Sequence, residues 1–198
     1  MSKRLMFAVI AFVFCFSFVA CNTAKAPAEA AIKLADEAIA GVKGDASVYV
    51  PDQLKAVEDS LAAAKESFQK GEYPQALAGA KDLAAKAKDL ATAVASKKAE
   101  LASSWKDMSG GLPGMLSAIQ SRVNILSKSR KLPAGLDKDQ FESAKASLPA
   151  ITQTWTEASN AFSGGNLMEA VTKATSVKEK AVEIMTALGM KAPEAAAK

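Results

Sequence analysis

Apolar residues recur along this chain at steps of three and four, in five separate stretches. In 51–70 they fall at Leu54, Val57, Leu61, Ala64 and Phe68. In 73–104 they are Ala76, Ala80, Leu83, Ala87, Leu90, Val94 and Leu101, and in 112–130 Leu112, Leu116, Ile119, Val123 and Leu126. In 138–163 they are Phe141, Ala144, Leu148, Ile151, Trp155, Ala158 and Phe162. In 166–188 they are Leu167, Ala170, Ala174, Val177, Ala181, Ile184 and Leu188. Such spacing puts each set on one stripe of a helix. It favours nearly parallel, left-handed packing of neighbours, and the many stripe alanines let backbones approach closely. Strand character is confined to "SVYV" at 47–50, too isolated to make a sheet. The predicted fold class is all-α, an antiparallel helical bundle with heptad-like packing.

Local signals punctuate the stripes. Pro51 suits a first helical turn, where its missing N–H costs nothing. Asp137 with Gln140, and Asn166 with Glu169, have capping-box spacing. The glycine pairs Gly110–Gly111 and Gly164–Gly165 read as helix breaks, and "SGGLPG" at 109–114 predicts a full stop. Gly189 and Pro193 end the last helix. Pro149, inside 138–163, predicts a kink or a split.

The pattern also repeats. "FQKGEYPQALAGAKDLAAKAKDL" at 68–90 aligns with "FSGGNLMEAVTKATSVKEKAVEI" at 162–184, a constant offset of 94. Upstream the better offset is 87, with Leu61 against Leu148 and Ile32 against Ile119. The difference of 7 is one heptad, an insertion that lengthens a helix without rotating its stripe. Two related three-helix units are therefore expected, over 28–108 and 112–190.

The first residues change the picture. Lys3 and Arg4 precede an apolar run from Leu5 to Ala20, too short to span a bilayer comfortably. A basic start, an apolar core and small residues at its end make a signal peptide over 1–20. Phe18, Val19, Ala20 and Cys21 resemble the bacterial lipoprotein signal. That resemblance implies cleavage before Cys21 and its acylation. Cys15 follows bulky Phe14 and fits less well. Residues 21–27 are then the lipidated cysteine and a linker, and 191–198 a flexible tail. Several acyl chains hold a membrane stably where one does not. Asn22 rather than Asp after the cysteine favours the outer membrane in such proteins.

Composition narrows the chemistry. Of the 198 residues 178 remain after cleavage, carrying 23 basic and 21 acidic side chains. So even a balance argues against a nucleic-acid partner. The chain has no histidine, which removes the commonest general base and the Ser-His and Cys-His pairs. Cys21 is the one cysteine left, so neither an intramolecular disulfide nor a cysteine metal cluster is expected. No dinucleotide, P-loop or nucleophile-elbow motif occurs. No cofactor, no metal and no enzymatic activity are expected. A carboxylate-dependent envelope enzyme ranks last among the alternatives.

Residues 28–90 carry a further resemblance. Tyr49, Pro51 and Leu54, then Gly71, Glu72, Tyr73 and Ala76, are similar to a helical domain of unknown function in bacterial envelope lipoproteins. In some relatives that domain precedes an OmpA-like peptidoglycan-binding domain, to which no segment here is similar. The turn at 71–76 also resembles one tetratricopeptide hairpin.

Candidate contact residues are few. Phe141, Trp155 and Phe162 lie on the stripe and are expected in the core. Trp105, beside the expected break, is the better exposed partner contact. Trp105, Trp155 and Phe162 together are the candidates for partner or ligand contact. Lys81, Lys86, Lys88, Lys97 and Lys98 interleave with Asp82, Asp89 and Glu100 and read as a solvated mixed face. Lys198 ends the tail and is a candidate for covalent attachment to peptidoglycan. Lys198→Ala should then abolish a wall-bound fraction on cell fractionation. The expected function is a non-enzymatic scaffold or protein-interaction module, lipid-anchored in the envelope, facing the periplasm or the cell surface. It would be tethered by Cys21 and meet an envelope protein partner. The alternative is a periplasmic carrier holding a lipid or small apolar ligand between helices.

Overall fold

A computed structural model describes residues 23–191. The expected signal peptide over 1–20, the expected acylation site Cys21 and the candidate attachment site Lys198 lie outside the described residues. Five helices follow in order: α1 (Lys25–Tyr49), α2 (Pro51–Gln69), α3 (Tyr73–Lys128), α4 (Lys138–Ser163) and α5 (Leu167–Ala187). No strand occurs among the described residues, and Ser47–Tyr49 is helical. The all-α expectation holds.

The chain divides into two compact units between Lys97 and Lys98. In the first, α1 and α2 enclose Leu83, Ala87, Leu90 and Val94 of α3. α1 contributes Ala35, Ile39 and Ala46 at heptad steps, and α2 adds Leu54, Val57, Leu61 and Ala64. The helices alternate in direction, since only Val50 separates α1 from α2. Two ion pairs record this: Lys43–Glu58 at 2.8 Å and Lys65–Asp36 at 3.0 Å. Each step forward along α1 is a step back along α2.

In the second unit, the later part of α3 packs with α4 and α5 around Leu112, Ile119, Phe141, Leu148, Val177 and Leu188. Here α3 and α5 run parallel. Thr175 donates to Met108 Sδ at 3.7 Å, and Arg122 Nη2 donates to the Leu188 carbonyl at 3.5 Å. Advancing along one helix advances along the other. Ala158, Ala170, Ala174 and Ala181 are fully buried, which brings α4 and α5 close.

The turns show why the sequence repeats. Gly71 and Gly165, 94 residues apart, have φ of 81° and 82°, a conformation natural to glycine. Glu72 N–H donates to the Ser67 carbonyl and Asn166 N–H to the Ala161 carbonyl, both at 2.9 Å. Each is the long bond of a helix-terminating Schellman turn. α2 and α4 start 87 residues apart and end 94 apart, with lengths of 19 and 26 residues. The difference is the expected heptad. Buried positions match across it at the 94 offset: Ala76 with Ala170, Leu83 with Val177, Leu90 with Ile184.

The caps hold as well. Pro51 is the first residue of α2. Asp137 accepts from Gln140 N–H at 2.8 Å while the Gln140 side chain reaches back to Asp137 N–H. Asn166 accepts from Glu169 N–H at 3.2 Å.

Two expectations fail. "SGGLPG" does not stop a helix: α3 runs unbroken from Tyr73 to Lys128 with Pro113 inside. Proline costs about 3 kcal/mol and each interior glycine about 1 kcal/mol. Against this, Trp105, Leu112, Met115 and Leu116 are all buried on one stripe. Each such side chain contributes about 1.5–3 kcal/mol, enough to hold the backbone helical. The breakers themselves face solvent. At Pro149, where a kink or a split is expected, α4 is one helix and is not split. Finally, α1 already begins at Lys25, so residues 25–27 are helix and not linker.

A testable consequence lies in the glycines of α3. A Cβ on Gly110 or Gly111 would meet nothing within 4 Å, and neither has positive φ. Gly110→Ala with Gly111→Ala should stabilise the protein by about 1–2 kcal/mol in urea unfolding. A loss of stability would mean that the segment is not helical in solution.

Candidate functional site

Three aromatic rings come together in the second unit. The Trp105 indole stacks on Trp155 with centroids 5.5 Å apart and planes 13° from parallel. It stacks on Phe162 at 4.6 Å and 11°. Trp155 and Phe162 are seven residues apart on α4, a rise of about 10.5 Å. The two stacking distances nearly fill that rise, so the Trp105 ring lies between the other two. The three residues singled out from the sequence as candidate contacts therefore form one ladder.

Their exposures reverse the sequence expectation. Trp105 is only 8% exposed, whereas Phe162 is 44% exposed and Trp155 half-buried. Trp105 follows Leu101 and precedes Leu112 on the stripe of an unbroken α3, so it points inward. Phe162 is the second-last residue of α4, just before the Gly164–Gly165 turn. One ring face is covered by Trp105, while the end of the helix leaves the rest to solvent. Offset stacks of this kind add about 0.5–1.5 kcal/mol beyond area burial. Aromatic side chains, phenylalanine among them, are enriched at the cores of protein interfaces.

Met108 packs beside the same core. The sequence reading passed over it, although it falls on the Leu101–Leu112 stripe. In the first unit the counterpart of Phe162 is Phe68, which meets Tyr73 edge-on at 5.1 Å. No tryptophan lies in 23–97, so the ladder belongs to the second unit.

A groove of about 530 Å³ opens between the later part of α3 and α4. It is lined by Val123, Leu148 and Pro149 but mainly by polar residues, among them Gln120, Asn124, Lys145 and Gln153. Pro149 has no N–H, so the Lys145 carbonyl lacks its helical donor. This lining suits water or a polar group better than an acyl chain.

Charged groups are paired at the surface. Lys173 Nζ donates to Glu157 Oε2 at 2.8 Å and approaches Glu169 at 3.7 Å. Hydrogen bonds from Lys173 and Gln153, with the lysine's charge, hold the Glu157 carboxyl below the ordinary glutamate value. The Glu157 bond raises Lys173. Because the folded-state carboxyl is the stronger acid, this pair stabilises the fold above the ordinary glutamate range. That contribution disappears as pH falls through the lowered value. The melting-temperature difference between wild type and Lys173→Met should shrink on acidification and with added salt.

No buried charged or polar residue and no group of three or more potential metal ligands occur among the described residues. No described helix is long and apolar enough to cross a membrane.

No family model, curated protein or solved structure matches this chain.

Proposed function

We propose that this chain is a lipid-anchored, non-enzymatic interaction module of the bacterial cell envelope. The Trp155–Trp105–Phe162 ladder carries the reading of an interaction module. A half-open aromatic held rigid by a buried tryptophan loses little entropy on binding. It sits on a helical unit whose other stripe positions are nearly all covered. The envelope location is supported by Lys3 and Arg4, the apolar run to Ala20 and Cys21 behind two small residues. The resemblance of residues 28–90 to helical domains of envelope lipoproteins points the same way.

The module would meet an envelope protein at Phe162 and Trp155, while Cys21 holds it to the membrane. The test uses full-length protein in its own cells, with a photo-crosslinking phenylalanine analogue at 162 or, as a control, at exposed Ile125. A discrete adduct at 162 and not at 125, on a chain acylated at Cys21, is the expected result. Equal labelling at the two positions, or robust turnover by the purified protein, would overturn the reading.

A further inference from the structure

We propose that the end of the first unit carrying Lys25, Phe68, Lys70 and Tyr73 seats directly on the lipid surface in which Cys21 is anchored. This rests on the lipoprotein reading above. It goes further by naming which face of the protein meets the bilayer.

The argument is one of reach. Cys21 precedes Lys25 by four residues, and an extended chain spans at most about 3.6 Å per residue. The Cys21 backbone therefore lies within about 14 Å of Lys25. α1 begins at Lys25, so no long flexible segment lets the unit drift from its anchor. A surface that holds the acyl chains is therefore within reach of this end.

The chemistry found there suits a headgroup region. Lys25 Nζ lies 6.0 Å from the centre of the Tyr73 ring. Phe68 meets that ring edge-on, and both are half-buried. Lys70 follows in the α2–α3 turn, its ammonium 2.6 Å from Glu66. Aromatic rings with a polar tip favour the membrane–water interface, and lysines lay their stems along it with the charge outward. Pairing of Lys70 with Glu66 leaves the patch with little net charge. Its contact with lipid would then be chiefly aromatic and weakly dependent on anionic lipid. Each contact is weak alone, but a short tether makes it intramolecular, so modest affinity suffices.

The opposite end of the unit supplies the control. Ser47 is exposed and 22 residues further along α1, about 33 Å away by helical rise. In the mature lipidated protein no other thiol is free, because Cys15 leaves with the signal and the Cys21 sulfur is alkylated. Single variants Gln69→Cys and Ser47→Cys can therefore each carry one environment-sensitive fluorophore. The lipidated chain is reconstituted in phosphatidylcholine vesicles, with and without phosphatidylglycerol, that contain nitroxide-labelled lipid. The label at 69 should be quenched several-fold more than the label at 47, in both compositions. Equal quenching at 69 and 47 on a chain whose intact mass shows acylated Cys21 overturns the seating and leaves the lipoprotein reading standing. An intact mass with bare Cys21 overturns both.

Discussion

Trp105→Ala is expected to destabilise the second unit by about 3–5 kcal/mol. The indole is 8% exposed and lies between two rings at 5.5 and 4.6 Å, so its removal opens a gap that neither neighbour can close. Trp155 and Phe162 are held on one helix at a fixed rise and cannot collapse toward each other without bending α4. Urea unfolding followed by far-ultraviolet circular dichroism would measure the loss. Because the chain holds two tryptophans, Trp155 remains as the sole reporter in the variant. Its emission should move to the red as the stack opens. A loss below about 1 kcal/mol would fall outside the range for buried tryptophan and would mean that the ladder is not formed in solution. Phe162→Ala is expected to cost less, since that ring is already 44% exposed, while removing the proposed contact. The two variants thus separate stability from binding.

Leu83→Ala should be the corresponding lesion in the first unit, at about 2–5 kcal/mol. Leu83 is fully buried and packs with α1 and α2 residues in a core that includes four alanines. Alanines at 35, 46, 64 and 87 have no bulk with which to fill the void. Hydrogen exchange should show lost protection in α1, α2 and Tyr73–Lys97. Protection unchanged in those segments would sink the assignment of Leu83 to a shared three-helix core. Val177, its counterpart 94 residues on, is buried to the same degree, but Val177→Ala removes fewer atoms and should cost less.

Much of the fold is local physics and was readable residue by residue. The three- and four-residue steps through Leu54, Leu83, Ile119 and Val177 assign buried positions because a helix turns by a fixed angle. Asp137 and Asn166 mark helix starts because their side chains accept amide hydrogens three residues on. Gly71 and Gly165 mark ends because only a positive φ closes that turn. The seven-residue difference between α2 and α4 follows from the two alignment offsets alone.

What needed the tertiary structure were the positions where two local rules disagree. Gly110, Gly111, Pro113 and Gly114 argue for a break, while Trp105, Leu112 and Leu116 continue the stripe. The outcome depends on whether α4 and α5 are there to bury that stripe, and no local signal contains this. The reversal of Trp105 and Phe162 follows from the same point. Once α3 is continuous, Trp105 turns inward and fills the space between two rings, and the last turn of α4 leaves Phe162 at the edge. The sequence by itself determined the apolar stripes of α2, α4 and α5 and of both parts of α3, the caps at Asp137 and Asn166, the repeat and the candidate residues. Only the packing of helices against one another decided that α3 continues through 109–114, and which of the three aromatic residues is core and which is surface. Burial is a property of neighbours distant in sequence, and its free energy exceeds the local preferences of glycine and proline.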